Sequence, residues 1–131
     1  MLDWDSGQPN AKYYSVQMLA ALGTGPKHLM PTNQSGSSNI FALGMVVEGE
    51  GRKLLVVSKS EHPQSVKLEG CSPLNAAALV LDGAGTAAGS SGLALELHTE
   101  PGFAPPTLRS LSADGLLALG GYGVALVSIK T

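Results

Sequence analysis

The chain has 131 residues and a mass of 13.3 kDa, which corresponds to a single domain at about 100–200 residues per domain. Hydrophobic residues account for 44% and charged residues for 14%, a composition that suits a packed core and not a disordered tail. The formal net charge of −2 provides no basic surface for nucleic acid, and the length excludes a complete α/β barrel, which needs roughly 200 residues or more. The 17 glycines and 8 prolines favour many short strands over long helices.

The first predicted element is a helix over residues 11–22. Pro9 suits the first turn of such a helix because its missing N–H has no intrahelical partner there, and Gly23 is typical of a helix end. Apolar residues three or four apart form two stripes, the first with Tyr14, Met18, Ala21 and Leu22 and the second with Val16, Leu19 and Ala20. A helix that is apolar on two faces normally packs between two layers.

After Gly23 the hydrophobic period changes from 3.6 to 2, which predicts strands. In chain order these strands cover residues 40–47, 53–59, 65–69, 77–81, 93–97, 115–119 and 122–129. Residues 48–51, Glu-Gly-Glu-Gly, supply a turn that joins the first two strands in a hairpin. The pattern predicts a mainly β fold, an antiparallel β-sandwich of seven or eight strands preceded by one N-terminal α-helix.

No motif for catalysis, cofactor binding or metal binding occurs, so we expect no enzyme activity, no cofactor and no metal. The three histidines lie 34 and 36 residues apart, without the close spacing of metal ligands: His28, His62 and His98. Cys71 is the only cysteine, which precludes a disulfide within the chain. Glu48 and Glu50 are close enough in sequence to resemble a glycosidase pair, but a hairpin turn exposed to water favours solvated charges.

The first residues are acidic and include neither a positively charged region nor an apolar run, so they do not predict a signal peptide. The longest apolar stretches, such as residues 76–81, are far shorter than the roughly 20 residues of a transmembrane helix. We therefore expect no membrane partner, and the compartment stays open. Core packing accounts for most of the aromatic residues. Trp4 and Tyr122 are the ones that an independent carbohydrate-binding module would use.

Four segments resemble glycoside hydrolase family 79, the retaining glycosidases of the heparanase and β-glucuronidase type. Residues 2–14 contain Pro-Asn-Ala-Lys-Tyr-Tyr, which resembles the Pro-Asn-Ala-Arg-Tyr-Trp entry to the last barrel helix, and residues 23–27 resemble the exit from that helix into an appended β-domain. Residues 52–59 are similar to the family's Arg-Lys-Leu-Leu-Val-Asn-Lys strand, with Ser58 where an asparagine is common. Residues 122–129 are similar to the terminal strand.

The resemblance implies a non-catalytic accessory β-sandwich domain with a structural or assembly role. In such enzymes the acid/base and nucleophile glutamates come from barrel strands that are not among these residues, so no catalytic residue is carried over. Residues 1–26 would hold the last barrel helix and residues 27–131 the β-sandwich domain, with a glycosidase barrel of a longer parent chain as partner. The alternatives are an independent carbohydrate-binding module and an interaction protein that serves assembly.

The two-faced helix also predicts association. A sandwich covers only one of its stripes, and the other, exposed without barrel helices, favours pairing of the helix between two chains. We therefore expect a homo-oligomer formed through this helix. Met18→Asp should disturb either the assembly or the fold, because truncating a buried side chain of this size costs about 2–5 kcal/mol.

Overall fold

The computed structural model describes residues 11–36, 38–83 and 104–130, and these residues are mainly β. One helix is followed by eight strands and a short 3₁₀ turn: α1 (Ala11–Ala20), β1 (Lys27–Met30), β2 (Ile40–Val47), β3 (Gly51–Ser58), β4 (Gln64–Lys67), the 3₁₀ turn (Pro73–Asn75), β5 (Ala76–Leu81), β6 (Thr107–Ser110), β7 (Leu116–Leu119) and β8 (Val124–Ile129). All strand pairs are antiparallel. The expected mainly β, antiparallel fold with one helix near the N-terminus is confirmed.

Six strands form one sheet in the order β1-β2-β3-β8-β5-β6. The predicted hairpin joins β2 to β3, with Val47 opposite Gly51. Its turn needs glycine because Gly49 and Gly51 have φ of 81° and 92°, a region that side chains disfavour. The last strand, β8, lies between β3 and β5, so the chain end is in the middle of the sheet.

The remaining strands, β4 and β7, form a second sheet of two strands that packs on the inner face of the first. Both sheets contribute to one apolar core, whose buried members include Val56, Ala78, Val80, Leu117, Leu119, Ala125 and Val127. Each strand contributes alternate residues to this core because side chains of a strand point to opposite faces. This arrangement is consistent with the predicted sandwich.

Helix α1 packs on the outer face of the six-stranded sheet. Met18 forms a second buried cluster with Leu81 of β5 and Leu126 of β8. The residues adjacent to them in these strands, such as Val80 and Ala125, point to the opposite face and belong to the inner core. Lys53 of β3 donates a hydrogen bond from Nζ to the Ala21 carbonyl oxygen at 3.0 Å, so it binds the C-terminal end of the helix where carbonyls lack intrahelical partners. The described residues therefore form three layers: helix, large sheet and small sheet.

Several boundaries differ from those predicted. The helix ends at Ala20 and not at residue 22, so Ala21 lies beyond it and is exposed. The last strand begins at Val124 and not at Tyr122, because Tyr122 has a φ of 54°, which an extended strand does not allow.

Strands β1 and β6 were not predicted. Each has four residues and is mostly exposed, so neither carries the alternation that marks a strand with one buried face. Both lie at the edges of the six-stranded sheet. The predicted strand over residues 93–97 and the role of Pro9 lie outside the described residues.

Candidate functional site

The carboxylates of the β2–β3 turn do not face one another across a cleft. Glu48 Oε1 lies 3.3 Å from Nε2 of His28, and Glu50 Oε2 lies 3.3 Å from Nζ of Lys53. Their side chains are 63% and 43% exposed, which is ordinary for solvated surface charges. Each carboxylate therefore has its own nitrogen partner, the His28 ring for Glu48 and the Lys53 ammonium for Glu50, and the two carboxylates do not form an acid/base pair.

Within the described ranges, no three His, Cys, Asp or Glu side chains are grouped so as to hold a metal ion. His62 is exposed beside Glu61, with Nε2 and Oε1 3.5 Å apart, and His98 lies outside the described residues. Cys71 is a free, half-buried thiol that packs against the inner core. Its environment is that of a small apolar side chain.

Tyr122 lies in the turn between β7 and β8. Its N–H donates to the Ser60 carbonyl oxygen at 2.7 Å, and the Gly123 N–H donates to the Gly120 carbonyl oxygen at 3.0 Å. Tyr122 is half-buried, and its backbone hydrogen bond connects this turn to the segment that follows β3. Trp4, the other aromatic residue of the carbohydrate-binding alternative, lies outside the described residues, and that alternative stays a prediction.

The two stripes of α1 have opposite environments, which sequence periodicity alone does not specify. Met18 of the first stripe is 3% exposed, whereas Val16 and Leu19 of the second are 50% and 55% exposed. Tyr14 and Leu22 also pack around the Met18 cluster. The sheet therefore covers the first stripe, and the second stripe points away from the described part of the molecule.

The outer face of the sheet, on which the helix packs, also carries an exposed aromatic side chain. Phe41 is paired with Val57, which is paired with Val124 of the helix-covered cluster. Directly paired residues share one face, so Phe41 lies on the helix side, two strand spacings or about 10 Å from Val124. It is 47% exposed. We name the four exposed apolar side chains on this side of the sheet, Tyr13, Val16, Leu19 and Phe41, the outer patch.

Polar contacts at the C-terminal end of α1 keep the outer patch in place. Lys27 donates from Nζ to the carbonyl oxygens of Gly23 and Gly25, at 2.7 and 3.1 Å. Gly23 has a φ of 94°, a conformation that other residues disfavour, and it packs against the Glu50 side chain. Together with the hydrogen bond from Lys53 to the Ala21 carbonyl oxygen, these contacts hold the C-terminal end of the helix against the sheet.

No model of a known protein family matches the sequence, and no curated protein matches it. The resemblance to glycoside hydrolase family 79 therefore stays a prediction that depends on the four quoted segments. Two of them, residues 52–59 and 122–129, coincide with most of the paired strands β3 and β8. In the part of the chain that the structure describes, no helix has the length and apolarity needed to cross a membrane.

Proposed function

We propose that this chain is a non-catalytic accessory β-domain of the glycoside hydrolase type, which packs against a catalytic barrel through the outer patch. The observation that carries the proposal is the one-sided cover of α1, with Met18 buried and Leu19 more than half exposed. A helix with two apolar stripes belongs between two layers. The first layer is the six-stranded sheet. The resemblance to glycoside hydrolase family 79 suggests that the second layer is formed by the helices of a catalytic barrel.

The role of the domain in this proposal is mechanical. Fully burying a Val, Leu or Phe side chain stabilises a protein by about 1.5–3 kcal/mol, and the patch residues are 36–55% exposed. Covering them would therefore add a few kcal/mol to the stability of the joined protein. Each glutamate of the β2–β3 turn contacts a separate partner, His28 or Lys53, at the solvent-exposed surface, which favours a structural role over a hydrolytic one.

The mass of the native protein tests the link to a barrel. An antibody raised against the purified chain should detect, in undenatured extracts of the source cells, a species on the order of 40 kDa or more, since a barrel has roughly 250 residues and this chain contributes 13.3 kDa. Mass spectrometry of that species should identify barrel peptides. A free 13.3 kDa monomer without a barrel would overturn the proposal.

The purified chain alone tests the patch. Without a barrel to cover it, the outer patch should cause self-association that rises with concentration, and Leu19→Glu should abolish it. Leu74→Glu is the matched control, because Leu74 is 95% exposed and lies in the 3₁₀ turn, outside the patch. Light scattering from 1 to 500 µM measures the mass. A wild-type chain that is strictly monomeric throughout would contradict the role of the patch.

Turnover assays test the non-catalytic part of the proposal. Aryl β-D-glucuronides and other aryl glycosides should be hydrolysed at the background rate by the purified chain. A specific rate that Glu48→Gln or Glu50→Gln abolishes would show that a catalytic pair exists, and the proposal would then be wrong.

A further inference from the structure

A cleft of about 460 Å³ opens between the two sheets beside β4. Its floor is the inner face of β2 and β3, with Ile40, Ala42, Leu54 and Val56, and its two walls are residues 64–69 and residues 32–36. Ile40, Ala42 and Leu54 are only partly buried. The cleft therefore has an apolar floor between walls that carry mostly polar side chains, and it runs along one side of β4.

The strand on this wall, β4, has one edge without a strand partner among the described residues. The Leu68 N–H donates to the Gly115 carbonyl oxygen at 2.9 Å, on the side where β4 pairs with β7. Backbone groups of alternate residues in an antiparallel pair point to the same side, so those of Ser65 and Lys67 point away from β7. The described residues provide no partner for these N–H and C=O groups. Such an edge is a template for another strand.

We propose that this cleft binds an extended peptide segment of another protein, which adds to β4 as a third strand of the small sheet. Main-chain hydrogen bonds to Ser65 and Lys67 would hold the segment, and its alternate side chains would lie on the apolar floor, as in other cases of strand addition. The site is separate from the outer patch, because it lies on the inner face of the six-stranded sheet. The two proposals therefore stand or fall independently.

A second copy of this chain does not fit the same edge. Symmetric antiparallel pairing of two β4 strands requires a two-fold axis perpendicular to the sheet, which leaves the six-stranded sheets of both copies on the same side. The floor made by β2 already lies beneath the cleft, where the second copy would need to place its own β3. A single extended segment brings no second layer and fits above this floor.

The walls also define the chemistry of the segment. Residues that point to the floor should be apolar at every second position, and Ala42 leaves room above it for a large side chain. Residues that point to solvent lie beside Lys67, whose side chain is 60% exposed and whose Nζ lies 3.6 Å from Glu69 Oε1. Opposite charges on neighbouring strands attract, so an acidic residue is favoured there. Six residues of wall correspond to roughly 20 Å of strand.

A labelled synthetic peptide, acetyl-Thr-Val-Glu-Val-Glu-Val-Thr-amide, tests the proposal with the full chain. Fluorescence anisotropy should give saturable binding below 1 mM, and NMR spectra should show shifts at the amides of Ser65 and Lys67. A peptide of the same composition with the valines placed in sequence should bind at least tenfold more weakly. So should a peptide that is N-methylated on the edge that pairs with β4.

Two pairs of variants locate the binding. Ala42→Leu fills the floor and should weaken binding at least tenfold, whereas Ala118→Leu, on the exposed side of β7, should leave it within twofold. Ser65→Pro removes the edge N–H and should have the same effect as Ala42→Leu, while Ser65→Ala retains that N–H. Thermal melting of each variant checks folding, and the N-methylated peptide decides the outcome where a variant fails to fold.

Four results would overturn the proposal. They are absence of binding at 1 mM, equal binding of the reordered peptide, equal binding by Ala42→Leu, and slow hydrogen exchange at Ser65 and Lys67 in the free protein. Slow exchange would mean that these N–H groups already have a partner in the free protein.

Discussion

Met18 and Leu19 are adjacent in α1 and have opposite environments, so truncating each to alanine measures which stripe holds the helix on the sheet. Met18 is 3% exposed and packs with Leu81 and Leu126, whereas Leu19 is 55% exposed. We expect Met18→Ala to destabilise the protein substantially and Leu19→Ala to do so only slightly. The two side chains have similar sizes and similar helix propensities, so intrinsic helicity cancels in the comparison.

The magnitudes follow from the two exposures. Methionine-to-alanine substitutions in a core cost about 2–5 kcal/mol, and Met18→Ala should cost about 3 kcal/mol because its cluster is small. Full burial of a leucine side chain is worth about 1.5–3 kcal/mol. Since less than half of Leu19 is buried, Leu19→Ala should cost about 1 kcal/mol. The difference of about 2 kcal/mol is a factor of roughly 30 in the unfolding equilibrium.

Urea unfolding followed by circular dichroism measures both free energies, provided that the dependence on urea concentration is unchanged. Leu74→Ala, at a residue that is 95% exposed, should lie close to wild type. If Leu19→Ala costs as much as Met18→Ala, the helix is held by the second stripe and the reasoning is wrong. If both cost nothing, α1 does not pack on the sheet. Because Met18 is buried against the sheet, we expect Met18→Asp to destabilise the fold and not to act on the assembly.

Two further substitutions test contacts at the ends of the sheets. Arg109 binds Asp82 with two nitrogen–oxygen distances of 2.8 Å, and the Asp82 side chain is 4% exposed. Arg109→Met should therefore lower the free energy of unfolding in urea by about 3 kcal/mol, whereas Lys67→Met, in an exposed pair, should lower it by less than ~1 kcal/mol. Equal losses would contradict the burial of the Asp82–Arg109 pair. Gly121→Ala places a methyl group against the Glu61 carbonyl oxygen, so it should lower the free energy of unfolding by about 1–3 kcal/mol. An alanine that fits its site would instead stabilise the protein by about 0.4–1 kcal/mol, so a higher melting temperature would contradict this contact.

The strands with one buried face could be predicted from the sequence, because burial on one side imposes an alternation that is visible locally. The hairpin of β2 and β3 is an example, since its glycines occupy a turn with positive φ. The edge strands β1 and β6 could not be predicted in this way. Their side chains are mostly exposed, and their pairing depends on a neighbour that the chain supplies elsewhere.

For the candidate sites the division is similar. The sequence by itself determined that α1 has two apolar stripes, because a period of 3.6 residues places those side chains on defined faces. Only the tertiary structure decided which stripe is buried, since that depends on the position of the helix over β5 and β8. The Asp82–Arg109 pair, 27 residues apart, and the position of β4 at an edge of the small sheet in the described ranges likewise arise from strand order, a long-range property that no local pattern encodes.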